Sequence, residues 1–541
     1  MNARRFVAFL LCLSALTACT QVGGQKAGSG GRNSWTVPGH LRLGMPDEPD
    51  NLNPMFAHTA ANEEVDALIF APLFRYDDKG EYYPELATGV PTYQNGGISK
   101  DSKTITVHLR RGVRWSDGAP LTARDWRFTY RAVMNPRNNT KLLYGWTDIA
   151  SVQLPDDYTI VIHLKKANAG FLGALAAGGA AYPPLPEHLL GSLPDINKAT
   201  FNSQPISSGP WILRKWNHGA SLEFIPNTRY WRGPPKLEAL SWRVIPSVDT
   251  LFAQLQTHEI DVYDGVSEDQ IDRLKNISGI TVSKKLIANW RHLEFNTSKP
   301  ELSDVRTRLA IAQAVDWDRI NEVIYHGYNA RAHSDIFPGS WAAPNIPLYK
   351  YDVAGAARLL DAAGWKLGPD GIRHKGERAM HLTIATGTNK QANIQAEVQM
   401  QQALKSIGID LAIRNYPVSF LFAQNGPLYT GKYFLSWSIA TNAADPDNAG
   451  DWNSKFIPPH GANTSWIHDA TIDQTSEAAT RTFDRSQRKA LYQKEEERLH
   501  QLVPAVFLYW ENSYNAHNSD LKNYKQAPYV ANNWNSWQWE I

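Results

Sequence analysis

The residues that could do chemistry in this chain are few, and their spacing excludes more than it permits. Asp445-Pro446-Asp447-Asn448-Ala449-Gly450 begins like a calcium loop, with an acid first and a glycine sixth. Ala449 and Phe456, however, stand at the fifth and twelfth positions, where oxygen ligands are required. The 16 histidines are scattered without ligand spacing, so no metal site is expected. The sequence lacks the nucleophile elbow G-x-S-x-G, the zinc helix H-E-x-x-H, the phosphate loop G-x-x-x-x-G-K-[ST] and the dinucleotide turn G-x-G-x-x-G. The expectation is a chain that needs no cofactor and is not an enzyme.

One side chain near the amino terminus has a chemical fate of its own. Arg4-Arg5 precede the apolar run Phe6 to Leu16, too short to cross a bilayer as a mature helix, and the run closes on Leu16-Thr17-Ala18-Cys19. Residues 1–18 read as a signal peptide ending in a lipobox, with Cys19 the lipidated first residue of the mature protein. Acyl chains gain roughly 0.8 kcal/mol per buried methylene, so more than one makes a stable anchor. Thr20 to Ser34 holds five glycines and no apolar run, so residues 19–34 read as a flexible tether of roughly 20 Å and the body starts near Trp35. Cys12 leaves with the signal peptide, which removes any intramolecular disulfide or thiolate metal site. Arg4 and Arg5 leave too, and the remaining chain is formally neutral, without the basic footprint of a nucleic-acid binder.

Alternating α/β structure must position whatever the body binds. In Thr104 to Tyr130 (TITVHLRRGVRWSDGAPLTARDWRFTY), Ile105, Val107 and Leu109 alternate with polar residues as in a half-buried strand. Thr122 and Asp125 then have the spacing of a capping box at a helix start. Tyr158 to Lys165 echoes the first strand and is expected in the same sheet. Leu382 to Ile413 reads as strand, helix, strand in parallel, with Ile394, Val398 and Leu404 as the helix's apolar stripe and Gly408 at its end. Further helices are predicted over Asp304 to His326, stopped by Gly327, and over Asp352 to Ala363, stopped by Gly364.

The string Leu109-Arg110, Gly112-Val113, Trp115, Asp117-Gly118, Pro120-Leu121-Thr122-Ala123 and Asp125 resembles the signature of the extracellular solute-binding proteins, family 5, the peptide-binding components of ABC importers. The resemblance continues through Ser208-Gly209-Pro210-Trp211, Tyr230-Trp231-Arg232-Gly233, His258-Glu259-Ile260-Asp261, Glu294 to Thr297, Asp304-Val305-Arg306, Ala314-Val315-Asp316 and Ala363-Gly364-Trp365. It implies an α/β, two-lobed periplasmic-binding-protein-like fold of type II with an extra domain inserted in the first lobe. The implied boundaries are 35–72 for the start of domain I, 73–204 for the inserted domain II, 205–288 for the return to domain I, 289–503 for domain III as the second lobe, and 504–541 for the crossing back. Two such lobes can close on a ligand by hinge motion.

The resemblance also implies where ligand chemistry sits. Peptide-binding members place an aspartate three residues after the tryptophan at Trp437, where it meets the peptide's α-ammonium. That count lands on Ala440, or on Asn442 if taken back from Asp445-Pro446-Asp447, so neither supplies the carboxylate. Asp445 and Asp447 either build a turn or touch the ligand. The expected ligand-binding residues are Trp437, Asn442, Asp445, Trp290, Tyr509, Trp510, His58 and Thr59, whereas Trp115, Trp231 and Trp365 are expected in the framework. The function implied is a lipid-anchored, extracytoplasmic and monomeric receptor that hands an oligopeptide or peptide-like solute to an ABC permease. Nineteen tryptophans and the missing carboxylate leave an oligosaccharide receptor as the alternative, and a hydrolase on the same scaffold as one from another class.

Overall fold

The computed structural model describes residues 31–541 apart from 57–58, 141–142, 144, 177–180, 388–390 and 530, so the signal peptide, Cys19 and His58 lie outside the described residues. The strands that frame the molecule are β1 (His40–Met45), β2 (Thr104–His108), β3 (Ile149–Asp156), β4 (Thr159–Leu164), β5 (Trp211–Asn217), β6 (Ser221–Pro226), β7 (Ala239–Val244), β8 (Val262–Tyr263), β9 (Ile280–Phe295), β10 (His381–Gly387), β11 (Asp410–Tyr416), β12 (Leu435–Thr441) and β13 (Ala505–Asn518). The helices used below are α1 (Ala60–Ile69), α2 (Ala123–Val133), α3 (Val305–Ala314), α4 (Trp317–Ile324), α5 (Val353–Ala362), α6 (Gln391–Ser406), α7 (Ala449–Trp452), α8 (Ala470–Arg481) and α9 (Arg485–Leu502).

All these strands except β2, β3 and β4 join one sheet in the order β11-β10-β12-β9-β13-β8-β1-β7-β6-β5. The two long strands β9 and β13 are antiparallel partners and belong to both lobes. Ile280 to Leu286 pairs with Asn512 to Asn518, beside β8 in the first lobe, and Trp290 to Glu294 pairs with Ala505 to Trp510, beside β12 in the second. Between these halves the register slips, leaving Ile287, Ala288 and Asn289 opposite Glu511 alone. A bulge of this kind bends a strand pair locally. Its backbone is not orphaned: the Ala288 N–H donates to Pro528 O (3.0 Å), and its carbonyl accepts the Asn442 N–H (2.9 Å).

Two large apolar cores flank this crossing. The first runs from Leu41 and Leu43 through Trp115, Trp126 and Trp146 to Trp211 and Trp242, and is closed by Trp539 of the carboxyl-terminal tail. The second holds Leu293, Ile311, Trp317, Trp365, Ile384, Trp437 and Tyr509. The strands at Thr104 and Tyr158 share a sheet, as β2 and β4 pair antiparallel with Ile105 opposite Ile162. The Thr122–Asp125 capping box is formed, with the Thr122 N–H donating to Asp125 at 2.8 Å. β10, α6 and β11 make the parallel unit expected over Leu382 to Ile413, and Asp352 caps α5.

Two sequence expectations need correction. The helix predicted over Asp304 to His326 is two helices, α3 and α4. Val315 is extended between them, and Asp316 accepts the Arg319 N–H at 3.0 Å, acting as a cap where an aspartate is worth more than inside a helix. On α6, Ile394 and Val398 are exposed, and the buried face is Asn393, Ala396, Glu397, Met400 and Leu404. The polar members of that face are buried because they are bonded. Glu397 accepts the Thr386 hydroxyl at 2.6 Å, and Asn393 accepts Arg291 at 2.8 Å and the Tyr325 hydroxyl at 3.0 Å.

Candidate ligand-binding cleft

Between the lobes lies a cavity of about 1150 Å³, large enough for a short peptide or similar solute. Glu63 on α1, Tyr76, Asp101, Lys103 and Lys166 line it from the first lobe. Asn442, Asp445, Asp447, Asp451, Lys455 and Arg481 line it from the second, and Tyr529 from the tail. The lobes touch across it: the Phe483 N–H donates to the Tyr93 hydroxyl at 3.2 Å, and Arg485 pairs with Glu81 at 2.9 Å.

The loop after β12 brings the ligand-facing polar groups forward. Asn442 is already engaged. Its Oδ1 accepts the Trp290 indole N–H at 2.6 Å, and its Nδ2 donates to the Asp335 carbonyl. Asp445 faces Arg488, which donates from both terminal nitrogens at 2.6 and 2.8 Å and is itself buried. Burial works against the Arg488 charge, but the Asp445 carboxylate outweighs it and holds the guanidinium protonated. Asp447 does local structural work, accepting the Ala449 N–H at 3.2 Å at the start of α7. Asp451, one turn further, opens to the cavity while protein surrounds it. Burial first, then Asp335, Glu294 and Asp447, push its carboxyl up to about 7.

Behind this wall the second lobe is rich in buried acids. Asp335 accepts the Trp452 indole N–H at 2.6 Å, and Asn448 bridges Asp335 and Glu496 through its amide. Burial, with Asp335 next, raises Glu495 and Glu496 well above the ordinary range. On β9, His292 and Glu294 point the same way and come within 3.8 Å. They do not form an ion pair. Burial lowers His292 to about 3 and raises Glu294 to about 7, so both are neutral in mildly acidic solution. The second lobe also brings bases to the cavity, where Glu477 holds Lys455 at 2.8 Å and Arg481 at 2.9 Å, and Lys166 acts on Glu477 from the first lobe.

The residues singled out from sequence divide sharply. Asn442 and Asp445 line the cavity, and Thr59 caps α1, whose Glu63 reaches it. Trp437 and Tyr509 are packed in the second core, with Trp437 against Trp317 at 5.9 Å between ring centroids and the Tyr509 hydroxyl on the Trp317 carbonyl at 2.5 Å. Trp290 and Trp510 pack with each other and with Phe507 and Phe337 at the lobe crossing. No tryptophan is among the described residues that line the cavity, whose aromatic walls are Tyr76, Phe456 and Tyr529. Trp115 and Trp365 are framework as expected, and Trp231 is sandwiched by Arg110 (3.9 Å) and Arg232 (4.2 Å). The sequence reading missed Asp451. The signal available was its place six residues after Asp445 in the same segment. Among the described residues no group of three or more potential ligands could hold a metal ion.

A two-lobed binding protein with a cavity between its lobes is the class this fold defines. The chain belongs to the bacterial extracellular solute-binding proteins, family 5, whose middle region it matches over residues 81–460. It is 27% identical to the oligopeptide-binding protein AppA of Bacillus subtilis over 531 residues, 95% of this chain and 94% of that protein. The solved structure of NikZ from Campylobacter jejuni in complex with Ni(L-His) is 26% identical, with TM-score 0.76 over 94% of this chain and 100% of that one. The substrate-binding protein CtaP of Listeria monocytogenes shares the fold, with TM-score 0.81 at 22% identity over 94% and 100% of the two chains. The family comprises substrate-binding components of ABC transporters rather than enzymes. No described helix is long and apolar enough to cross a membrane.

Replacing Asp445 by Ala strands the Arg488 charge in the second lobe and should cost about 3 to 5 kcal/mol. A double change to Asp445→Leu with Arg488→Met should recover much of that in denaturant unfolding. A small loss in the single variant would show that the pair is solvated. Glu294 gives a pH test. Its folded pKa lies above its unfolded value, so its contribution is full below pH 4.5 and is lost as pH rises through about 7. Between pH 4.5 and 8 the wild type should lose about 3 kcal/mol relative to Glu294→Gln, from the shift at 1.36 kcal/mol per unit. Parallel pH–stability curves would refute that assignment.

Proposed function

We propose that this chain is the lipid-anchored receptor of an ABC importer, capturing oligopeptides or peptide-like solutes by closure of its two lobes. The observation that carries the reading is the cavity of about 1150 Å³ between lobes whose only strand-to-strand bridge among the described residues is the bulged β9–β13 pair. Motion about the bulge opens and shuts the cavity without breaking either core. The relatives support the solute class: AppA of Bacillus subtilis is named as oligopeptide-binding, and GsiB of Salmonella choleraesuis, 25% identical over 484 residues, as glutathione-binding. The sugar-receptor alternative drew support from the missing carboxylate and from tryptophan supply, and for the second of these no tryptophan is among the described residues that line the cavity. The domain boundaries inferred from the family, with 73–204 inserted in the first lobe and 289–503 forming the second, accompany this proposal.

Thermal-shift screening of the untethered body against peptide and oligosaccharide pools tests the ligand, because saturating ligand raises stability by RT ln(1 + [L]/Kd). A shift with peptides and none with sugars is the expected result, and the reverse would replace the reading. X-ray scattering should show the same peptide contracting the molecule, and an unchanged profile at saturation would exclude capture by closure. The anchor is tested separately, since Cys19→Ser should leave the protein unacylated and out of the membrane fraction. Persistent acylation of that variant would defeat the lipobox assignment.

A further inference from the structure

The acidic wall of the cavity has charge to spare and room beside it. Asp445 is neutralised by Arg488, and Asn442 is spent on Trp290 and Asp335. Asp451 differs from both. It opens to the cavity, and among the described residues its carboxylate has no hydrogen-bond donor or base against it, while the charges of Asp335, Glu294 and Asp447 act on it. Further back, the side-chain carbonyl oxygen of Asn448 is buried without a donor. A carboxylate among acids, inside protein yet reachable from the cavity, is stabilised most by a cation that arrives with the ligand.

The wall beside it is built from small residues. Ala443, Ala449 and Gly450 line the second-lobe side, and a Cβ built on Gly450 would meet nothing within 4 Å. Gly170, Gly173 and Ala174 line the facing first-lobe side. Such a lining leaves width for a long ligand side chain, whose apolar stem can run along alanine and glycine while its charged head reaches the acids.

Resting on the peptide reading, we propose that this end of the cavity selects a basic residue of the ligand: a lysine ammonium or arginine guanidinium that reaches Asp451, with Asp447 beside it. The cation comes from a side chain rather than from the peptide's α-amine, because the small residues beside Asp451 leave room for a group carried on a flexible stem. Asp451 is thus a specificity-determining residue. Asp445 and Asn442 hold the wall in place and do not contact the cation.

Calorimetry with the pentapeptide Ala-Ala-Ala-Ala-Ala and its single substitutions tests this, scanning lysine, norleucine, arginine and citrulline through the positions, each with a free or acetylated amino terminus. Lysine and arginine peptides should bind at least tenfold more tightly than norleucine and citrulline peptides at one or more positions, which at 1.4 kcal/mol per decade is the scale of one charge-assisted hydrogen bond. Asp451→Asn should abolish that preference while leaving the norleucine peptides within about twofold, and acetylation should cost less than tenfold. Equal affinity of lysine and norleucine peptides at every position, with binding otherwise intact, overturns the proposal and leaves the peptide reading standing. A hundredfold loss on acetylation with no side-chain preference assigns the acids to the α-amine instead. If none of the peptides binds, both the peptide reading and this proposal fall.

Discussion

The register slip between β9 and β13 is the constraint on which the molecule depends. One continuous sheet would ordinarily make a rigid body, because each strand is held by hydrogen bonds on both edges. Here the two strands that join the lobes lose pairing at Ile287 to Asn289, and the freed groups of Ala288 bond instead to Pro528 and Asn442. Those bonds tie the bulge to the tail on one side and to the loop after β12 on the other. The loop that carries Asn442, Asp445 and Asp447 therefore starts at the bend itself. A change of angle between the lobes is felt first at the residues that line the cavity.

Buried charge is the second organising feature, and it is handled in two ways. Where a base is buried, as with Arg488, the bidentate pair with Asp445 holds its guanidinium charged. Where none is present the acids shift upward instead. Glu294 and the Glu495 and Glu496 pair are raised chiefly by burial, which is cheaper for the protein than burying the carboxylates as anions. His292, lowered by the same burial, is neutral beside Glu294 and accordingly bonds the Ser438 hydroxyl at 3.0 Å.

Much of the scaffold was legible because it is written locally. The strand alternation at Thr104, the cap at Thr122 and the parallel unit around α6 all formed where their patterns sit. Periodicity failed where a polar residue had a partner far away in sequence: Asn393 and Glu397 turned α6 inward because Arg291, Tyr325 and Thr386 were waiting for them. The site was legible by segment and not by side chain. The region after Trp437 does reach the cavity, but Trp437 itself lies within β12, where it faces Trp317 in the core, and only the loop beyond the strand's end is free to face ligand. Aromatic residues at the crossing drew attention by type, yet large flat side chains are also what fills a lobe junction, and Trp290, Trp510 and Phe507 do that here.

The difference between a structural acid and a binding acid then comes down to access. Glu496 and Asp451 stand in the same negative field, and both are raised by burial and by Asp335. Glu496 is sealed behind Asn448 and can lower its energy only by taking a proton. Asp451 is open to the cavity and can exchange that proton for a ligand cation. Glu477, also on the cavity, has its bases already in place. Among the described residues Asp451 is thus an acid of the cavity with no base against it, and removing water from its surroundings would raise the value of any cation it met.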